Sequence, residues 1–435
     1  MSMWSSKKLR EVIGRPISGS RPAGGVNTET EGIPSLGGEN VLSEGGVTFE
    51  NLNRVPAAFF KSMPKGRLQP LDVLINKDGA QTGKVGLYKG NFPEACVNEH
   101  LFILRNINGG IDQRFLFYSA LLPDTQAKIA RRITGSAQPG LNTTFVDAVD
   151  ILVPPSSHEQ ERIAEILSTL DEAIEQTETL IAKYQQIKAG LMHDLFTRGV
   201  TPDGRLRPAH APHLYKESPL GWIPKEWEVK ALRQVATYQH GRPFPSTDYS
   251  DEGVLLLRPG NLHVSGIVRF DAAHTTRVPE RWLRECPEFV LKQQDIVMNL
   301  TAQSLEDQFL GRVCIVRNAE LSLLNQRIAR FFPRQTDHHF LYWLLRSLQF
   351  RNQIDRTTQG TKVQHIYNTD LNRIVFAVPS SPQEQEHIAA LLLTVTESLL
   401  ASKSSVEKLR QQKHGLMHDL LTGRVRVKVA EATSA

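Results

Sequence analysis

Two kinds of short segment in this sequence of 435 residues contain the residue types of a catalytic or nucleotide-binding site. His193 precedes Asp194 and His418 precedes Asp419, which are the residue types of an acid–base pair. The segment 79–85, Gly-Ala-Gln-Thr-Gly-Lys-Val, is similar to a phosphate-binding loop, but it is one residue short and has Val where Ser or Thr is required. We interpret this segment as a β-turn and both His–Asp pairs as structural or partner-facing residues, so no catalytic residue is predicted.

The composition is that of an ordinary folded protein. Hydrophobic residues make up 40% and charged residues 22% of the chain, and no apolar run is long enough to span a bilayer. The three cysteines show no Cys-x-x-Cys spacing, which disfavours a disulfide framework and a metal site. The N-terminus lacks the apolar stretch of a secretory signal, so we expect a cytoplasmic protein.

Positive charge is concentrated in two separate blocks. The net charge is +5 and the isoelectric point is about 9.0, which hints at a polyanionic partner. Residues 1–153 carry 17 Lys and Arg against 14 Asp and Glu, and residues 227–378 carry 19 against 15. Residues 158–200 carry 4 against 8. An acidic segment therefore separates two basic ones.

The sequence contains an internal duplication. Residues 159–167, Glu-Gln-Glu-Arg-Ile-Ala-Glu-Ile-Leu, recur as Glu-Gln-Glu-His-Ile-Ala-Ala-Leu-Leu at 384–392. In the same frame, Gly-Leu-Met-His-Asp-Leu occurs at 190–195 and again at 415–420. Weaker sequence matches upstream extend the repeat to most of the chain. The offset between matching residues shifts slightly there, which indicates insertions in loops. The chain is therefore predicted to be one unit used twice.

The repeat divides the chain into similar segments. These are a first head (1–153), a first spacer helix (154–200), a proline-rich linker (201–226), a second head (227–378), a second spacer helix (379–425) and a disordered tail (426–435). The expected fold class is α+β, with two similar α/β heads that are related by a pseudo-two-fold duplication. Strands are predicted at 69–76 and 83–88 and helices at 115–122 and 340–350.

Apolar residues in the two spacer segments follow a heptad pattern, which is typical of a coiled coil. One seam comprises Ile163, Leu167, Leu170, Ile174, Thr177, Ile181, Tyr184, Lys188, Leu191 and Leu195, and the other Ile388, Leu392, Val395, Leu399, Ser402, Val406, Leu409, Lys413, Leu416 and Leu420. Capping boxes are predicted from Ser156 to Glu159 and from Ser381 to Glu384, with C-terminal caps at the glycines 199 and 423. We expect the two helices to form an antiparallel coiled coil within the chain; two ordinary core helices are the alternative.

Several of these segments resemble the specificity subunit of type I restriction–modification systems. The family signature Pro-Pro-x-x-x-Glu-Gln-x-x-Ile is matched at 154–163 and, less closely, at 379–388. Its helix ending, Gly-Leu-Met followed by Leu-Leu-Thr-Gly, is matched within 415–423, and its second-half opening Gly-x-Ile-Pro-x-x-Trp at 221–227. The first half departs from the pattern, because it opens at Trp4 without the Ile-Pro lead.

The resemblance implies a non-catalytic chain whose heads are target-recognition domains, each reading one half of a split, asymmetric DNA sequence. It implies that the paired helices act as a spacer and dock two methyltransferase subunits that methylate adenine. It also implies that S-adenosylmethionine, ATP and Mg²⁺ are bound by partner subunits and that this chain has no cofactor. Restriction subunits can join such a complex; a methylation-only complex is the alternative.

Candidate DNA-reading side chains are polar or basic residues near predicted loops. They are Lys77, Gln81, Lys84, Arg131, Arg132, Ser136 and Gln138 in the first head, and Arg258, Asn299, Gln303, Arg312, Arg356, Thr361, Lys362 and Gln364 in the second. We hypothesise that Arg131, Arg132 and Arg356 flank a DNA-facing loop, because they precede glycines repeated at 135 and 360. The candidate partner-binding and spacer residues are Glu159, Gln160, Ile163, Leu191, Met192, Glu384, Gln385, Ile388, Leu416 and Met417.

Two rival classes of function are considered. A chain carrying its own methyltransferase or nuclease is disfavoured by the missing motifs. A coiled-coil scaffold that binds no nucleic acid leaves two large, similar heads without a role. A transcriptional regulator is a weaker third alternative, since no helix-turn-helix is apparent.

Overall fold

The computed structural model describes residues 4–23, 31–106, 109–135, 139–302, 308–357 and 364–427. The chain forms two compact units. The first unit comprises Met1–Thr179 with Lys403–Ala435, and the second comprises Leu180–Ser402. This division differs from the predicted sequential segments, because each unit combines one head with part of each long helix.

The first unit contains eleven strands and parts of two long helices among its described residues. The strands are β1 (Ser5–Lys8), β2 (Ile17–Ser18), β3 (Ile33–Leu36), β4 (Asn53–Val55), β5 (Asp72–Asn76), β6 (Val85–Tyr88), β7 (Cys96–Val97), β8 (Leu101–Leu104), β9 (Ile133–Thr134), β10 (Gly140–Leu141) and β11 (Asp150–Val153). The helices are α1 (Leu9–Ile13), α2 (Ala57–Ser62), α3 (Gln113–Leu121), α4 (Pro123–Ala130), α5 (Phe145–Ala148) and the start of α6 (Ser157–Thr197).

The central sheet of the first head has the strand order β2-β8-β5-β6 and is antiparallel. All five residues of β5 are buried, which explains why its sequence is a nearly continuous apolar run. A second sheet, β4-β3-β7, and the pairs β1-β11 and β9-β10 complete the head. The strands predicted within 69–76 and 83–88 and the helix predicted at 115–122 are therefore confirmed, with shorter strands and small shifts in the helix ends.

The second unit repeats this plan. Its strands are β12 (Tyr215–Ser218), β13 (Gly221–Pro224), β14 (Trp227–Ala231), β15 (Ala236–His240), β16 (Val254–Leu257), β17 (Arg277–Val278), β18 (Val290–Leu291), β19 (Ile296–Asn299), β20 (Thr301–Ala302), β21 (Val313–Ile315), β22 (Ser322–Leu324), β23 (Ile328–Pro333), β24 (Gln364–His365) and β25 (Val375–Pro379). Its helices are α7 (Leu232–Val235), α8 (Arg281–Glu285), α9 (His338–Leu344), α10 (Leu348–Thr357), α11 (Asn368–Arg373) and the start of α12 (Pro382–Leu421).

The central sheets of the two heads correspond strand by strand. The sheet β15-β23-β19-β21 matches β2-β8-β5-β6, and the pair β14-β25 matches β1-β11. Helices α3 and α9 begin at equivalent aspartates, since Asp112 accepts a hydrogen bond from the backbone N of Phe115, and Asp337 from that of Phe340. The predicted helix at 340–350 is two helices, α9 and α10. The duplication inferred from the sequence is thus a duplication of fold.

Both long helices are continuous, with 41 residues in α6 and 40 in α12. Every predicted seam residue is buried or partly buried. In the first unit, Lys413 of α12 pairs with Asp171 of α6, and Arg410 pairs with Glu178, so the residue number falls along one helix as it rises along the other. The helix segments of this unit are therefore antiparallel, as predicted.

The predicted linker 201–226 is structured, which corrects its assignment as an aperiodic segment outside the core. Strands β12 and β13 form a hairpin, and Ile223 is buried against Trp227 in the core of the second unit. The prolines that indicated a linker lie at the edges of this hairpin and in the turns before it.

The helix ends differ in part from the prediction. Gly199 and Gly423 adopt the left-handed conformation expected after a helix, with φ of 61° and 72°. The N-cap Ser381 accepts a hydrogen bond from the backbone N of Glu384, but the carboxylate of Glu384 points elsewhere, so the predicted capping box is incomplete. In the predicted tail, Arg426 and its neighbour at 427 are ordered against the first unit, and residues 428–435 lie outside the described residues. None of the helices in the described part of the chain has the length and apolarity needed to cross a membrane.

Candidate nucleic-acid interface

In the first head, a turn and a hairpin meet at the end of the buried strand β5. Residues 79–83 form the expected turn, in which Gly79 and Gly83 have positive φ values of 81° and 92°. The backbone N of Gly79 donates to the carbonyl of Pro139, and the backbone N of Leu141 donates to the carbonyl of Lys77. These bonds attach the turn to the β9-β10 hairpin and bring the predicted DNA-reading segments of this head together.

The predicted side chains of this head differ in exposure. Gln81, Arg131 and Arg132 are exposed, whereas Lys77 and Lys84 are partly buried. The Nζ atom of Lys77 lies 5.5 Å from the centre of the Phe102 ring, so its charge is held close to the head. Two further candidates of this head, Ser136 and Gln138, lie outside the described residues.

In the second head, the equivalent strand β19 ends at Asn299, which we predicted to read bases. Its side chain is fully buried, and its amide donates to the carbonyls of Thr301 and Phe309 at 2.6 and 3.1 Å. Arg312 is also engaged, since it donates to the carbonyl of Leu262 and lies over the Phe309 ring. Asn299 therefore organises the loop in this structure and does not face solvent.

The remaining candidates of the second head are dispersed. Arg356 is exposed at the end of α10, and Gln364 is partly buried in β24, which pairs with β20. Arg258 follows β16 in a different sheet and donates to the hydroxyl of Thr276. The candidates Gln303, Thr361 and Lys362, together with the glycine at 360, lie outside the described residues.

Sequence reasoning missed a group of polar side chains beside the β20-β24 pair. His240, Arg327, Tyr367 and Asn368 are exposed there, and His365 is partly buried among them. They come from three separate segments, namely 240, 327 and 365–368, so no local pattern unites them. The available signal was Arg327, which follows Asn and Gln between two buried strands, β22 and β23.

Predicted partner-binding residues at the start of α12 are buried inside the second unit. Glu384 is 8% exposed, and its carboxylate accepts two hydrogen bonds from Arg207, at 2.5 and 3.0 Å. It also accepts from the indole of Trp227 and the backbone N of Val200, both at 3.0 Å. Since Val200 and Arg207 follow the end of α6, Glu384 ties the start of one long helix to the chain that leaves the other.

The first unit has a more open version of this arrangement. Glu159 at the start of α6 is 2% exposed and accepts two hydrogen bonds from Arg426, which follows α12, at 2.5 and 2.8 Å. The Arg426 side chain is 51% exposed, against 6% for Arg207. The indole nitrogen of Trp4, the counterpart of Trp227, is buried without a hydrogen-bond partner among the described residues. The two copies therefore differ in how completely the buried carboxylate is enclosed.

The glutamine that follows each of these glutamates has an identical role in both units. Gln160 accepts a hydrogen bond from the backbone N of Asp112 and donates to the carbonyl of Pro154. Gln385 accepts from the backbone N of Asp337 and donates to the carbonyl of Pro379. Each glutamine thereby joins its long helix to the N-terminus of α3 or α9.

The lysines that interrupt the heptad seams contact aromatic rings of the heads. Lys413 pairs with Asp171 at 2.5 Å and lies 5.7 Å from the Tyr118 ring. Lys188 lies 4.9 Å from the ring of Trp343, the counterpart of Tyr118. Burial and the charge of Asp171 raise the pKa of the Tyr118 hydroxyl, which donates to that carboxylate at 2.7 Å. The lysine near the end of each long helix therefore contacts the head of the other half of the repeat, Lys188 of α6 the second head and Lys413 of α12 the first.

The apolar partner-binding candidates fall into two groups. Ile163 and Ile388 are fully buried and Met417 is 8% exposed. Three others are partly exposed, namely Leu191, Met192 and Leu416. Only the second group offers surface to another protein. In the described parts of the chain, no three His, Cys, Asp or Glu side chains converge as metal ligands would.

Both halves of the chain are similar to known proteins. The family model described as Type I restriction modification DNA specificity domain matches residues 1–186 and again residues 224–408. The MjaVIII specificity subunit of Methanocaldococcus jannaschii, a type I restriction enzyme subunit, is 28% identical over 429 residues, covering 98% of this chain and 93% of that protein. The EcoAI specificity subunit of Escherichia coli is 27% identical over 168 residues, covering 38% and 27%.

A solved structure shows the same fold. The S subunit of the type I restriction–modification system from M. genitalium superposes with a TM-score of 0.64 at 15% identity, covering 96% of each chain. The duplicated heads, the two long helices and the twofold match to one family model agree with each other. This chain therefore belongs to the family of type I restriction–modification DNA specificity subunits.

Proposed function

We propose that this chain is the non-catalytic, DNA-reading subunit of a type I restriction–modification complex in the cytoplasm. Each head contacts one half of a bipartite, asymmetric target. The supporting observation is that the residue after the buried central strand is held in the same way in both heads. The backbone N of Leu141 donates to the carbonyl of Lys77 after β5, and the backbone N of Ile366 donates to the carbonyl of Leu300 after β19. We call this junction the loop framework; the side chains around it differ between the heads. A shared framework with unlike side chains suits two unlike half-sites, because base edges are discriminated by side-chain donors and acceptors.

We propose further that two methyltransferase subunits dock on the long helices, and that restriction subunits can join them. Adenine methylation, with S-adenosylmethionine, ATP and Mg²⁺ held by the partners, would then be directed by this chain. Support comes from Gly190 and Gly415, which lie inside α6 and α12. A Cβ atom at either position would meet nothing within 4 Å, so the chain's own packing does not require glycine there. A glycine costs a helix about 1 kcal/mol relative to alanine, and close approach of a partner's backbone is a reason to retain it.

Replacing Gly190 or Gly415 with alanine is expected to stabilise the isolated chain by up to about 1 kcal/mol and to weaken assembly with the methyltransferase subunit. Urea unfolding measures the first effect, and titration of the purified subunits by calorimetry measures the second. Ala189→Gly, at an exposed neighbouring position, is the matched control for helix propensity. Unchanged assembly in both alanine variants, and in leucine variants at the same two sites, would rule out docking at the glycines.

The function is tested by mapping methylated adenines in the host genome with and without this chain. Loss of methylation at one split motif, with two unlike halves around a fixed gap, is the expected result. An unchanged map in cells that express the partner subunits would contradict the proposal. A methylation-only complex is the second candidate, and restriction of unmodified phage DNA by the same cells distinguishes the two.

A further inference from the structure

Five side chains of the second head form a surface that we call the His–Arg patch. It comprises His240, Arg327, His365, Tyr367 and Asn368. His240 Nε2 lies 2.7 Å from Asn368 Oδ1, and the rings of His365 and Tyr367 are 4.7 Å apart between centroids. His365 is paired across β20-β24 with Thr301, so the patch borders the loop framework at the end of β19.

The patch is exposed and its arginine is held by the backbone. Tyr367 is 61% exposed, and Arg327 is exposed with a left-handed φ of 72°. The carbonyl of Arg327 accepts a hydrogen bond from the backbone N of Leu300 at 2.8 Å, which fixes this conformation. Within the described residues, the Arg327 side chain forms no ion pair, so its guanidinium is available to an anion.

Positive and titratable groups outnumber acidic ones around His365. The charged groups that face it are His240, Arg327 and Asp370. One oxygen of Asp370 is already taken by the backbone N of Tyr367, at 2.9 Å. Burial, followed by the charges of His240 and Arg327, lowers the pKa of His365 below its ordinary value. His365 is therefore neutral near pH 7, and an anion bound beside it would favour its protonation.

The first head has a different group at the equivalent place. Asn76 pairs with Leu101 and Asn299 pairs with Ile328, so His100 occupies the register position of Arg327. His100 Nδ1 lies 2.6 Å from a carboxylate oxygen of Asp78. A carboxylate at this distance competes with a phosphate for the imidazole. His100 in the first head is therefore less available to an anion than Arg327 in the second.

We propose that the His–Arg patch binds a DNA phosphate in the second head, with Arg327 as the permanent cation, His365 as the group that gains a proton on binding, and His240 beside them. Tyr367 lies against the adjoining sugar or base. This inference rests on the proposed function and adds to it a proton-linked contact in one head. Contacts of this kind position the protein on the duplex, whereas base edges are read elsewhere.

The test is binding of the full-length chain to a fluorescently labelled duplex, measured by anisotropy between about pH 6 and pH 8, where histidine titrates. We expect affinity to fall as pH rises, by up to about tenfold per pH unit for each proton taken up. The double variant His240→Gln with His365→Gln should flatten this dependence. Arg327→Gln should reduce the slope of log affinity against log salt by about 1.

The matched control replaces two other exposed histidines, with His213→Gln and His414→Gln in one chain. His240→Gln alone provides a second variant, because its side chain is exposed and its replacement leaves the core intact. Salt-dependent binding with the same pH profile in wild type and in every patch variant would overturn the inference and leave the proposed function standing. Absence of salt-dependent binding by the wild-type chain would overturn both.

Discussion

Glu384→Ala is expected to destabilise the second unit by about 3–5 kcal/mol, because it removes the nearer counter-charge of the buried Arg207 guanidinium. The exposed carboxylate of Glu226, 3.6 Å away, is the carboxylate that remains beside it. The variant also removes the acceptor for the Trp227 indole and for the backbone N of Val200. Urea unfolding of the full-length chain measures the loss, and hydrogen exchange locates it in residues 180–402. Glu386→Ala, two positions along on the exposed side of α12, is the control and should change stability by less than about 0.5 kcal/mol.

The first unit provides an internal comparison for this prediction. Glu159→Ala removes the equivalent carboxylate, but its partner Arg426 is half exposed and returns to water. We therefore expect a smaller loss, of about 1–2 kcal/mol. Equal losses in the free energy of unfolding for the two substitutions would show that burial of the arginine does not determine the size of the loss.

Replacing Arg131, Arg132 and Arg356 together with alanine is expected to weaken duplex binding on the order of 10- to 100-fold. All three are exposed. Arg131 and Arg132 lie between α4 and β9, and Arg356 lies in the last turn of α10. If each contacts one phosphate, the slope of log affinity against log salt should fall by about 2.7, at roughly 0.9 for each contact. Anisotropy titrations of the full-length chain at several salt concentrations measure both quantities.

The control for this triple variant removes the same charge from the long helices, with alanine at three exposed lysines. They are Lys183, Lys403 and Lys408. The control should bind DNA nearly as the wild type does, except for the small change in overall charge. If both triple variants lose the same affinity, the effect is one of net charge, and the hypothesis of arginines flanking a DNA-facing loop fails.

Features set by sequence periodicity or repetition were predictable. The heptads of the long helices and the ungapped repeat of 190–195 at 415–420 identified elements that the structure contains. The buried run of β5 was recognisable because a central strand has no polar face. These signals are local, and tertiary contacts do not alter them.

Features that depend on distant partners were not predictable. Glu384 reads as half of a capping box, but Arg207, 177 positions away, holds its carboxylate. Asn299 reads as a base-reading amide, although its role in the structure is to hold the backbone of its own loop. The His–Arg patch joins residues from three segments, so it becomes visible only once the sheets are assembled.

The assignment of chain segments to units has a consequence for synthesis. Met417, Leu420 and Leu421, from the end of α12, belong to the same hydrophobic core as Phe115 and Ile163. The first head leaves the ribosome before the second, but its core stays incomplete until the end of α12 has been made. The second unit, drawn from one continuous stretch, can close sooner. Nascent chains that stall before α12 therefore expose apolar surface on the head translated first, and that surface calls for chaperone protection during translation.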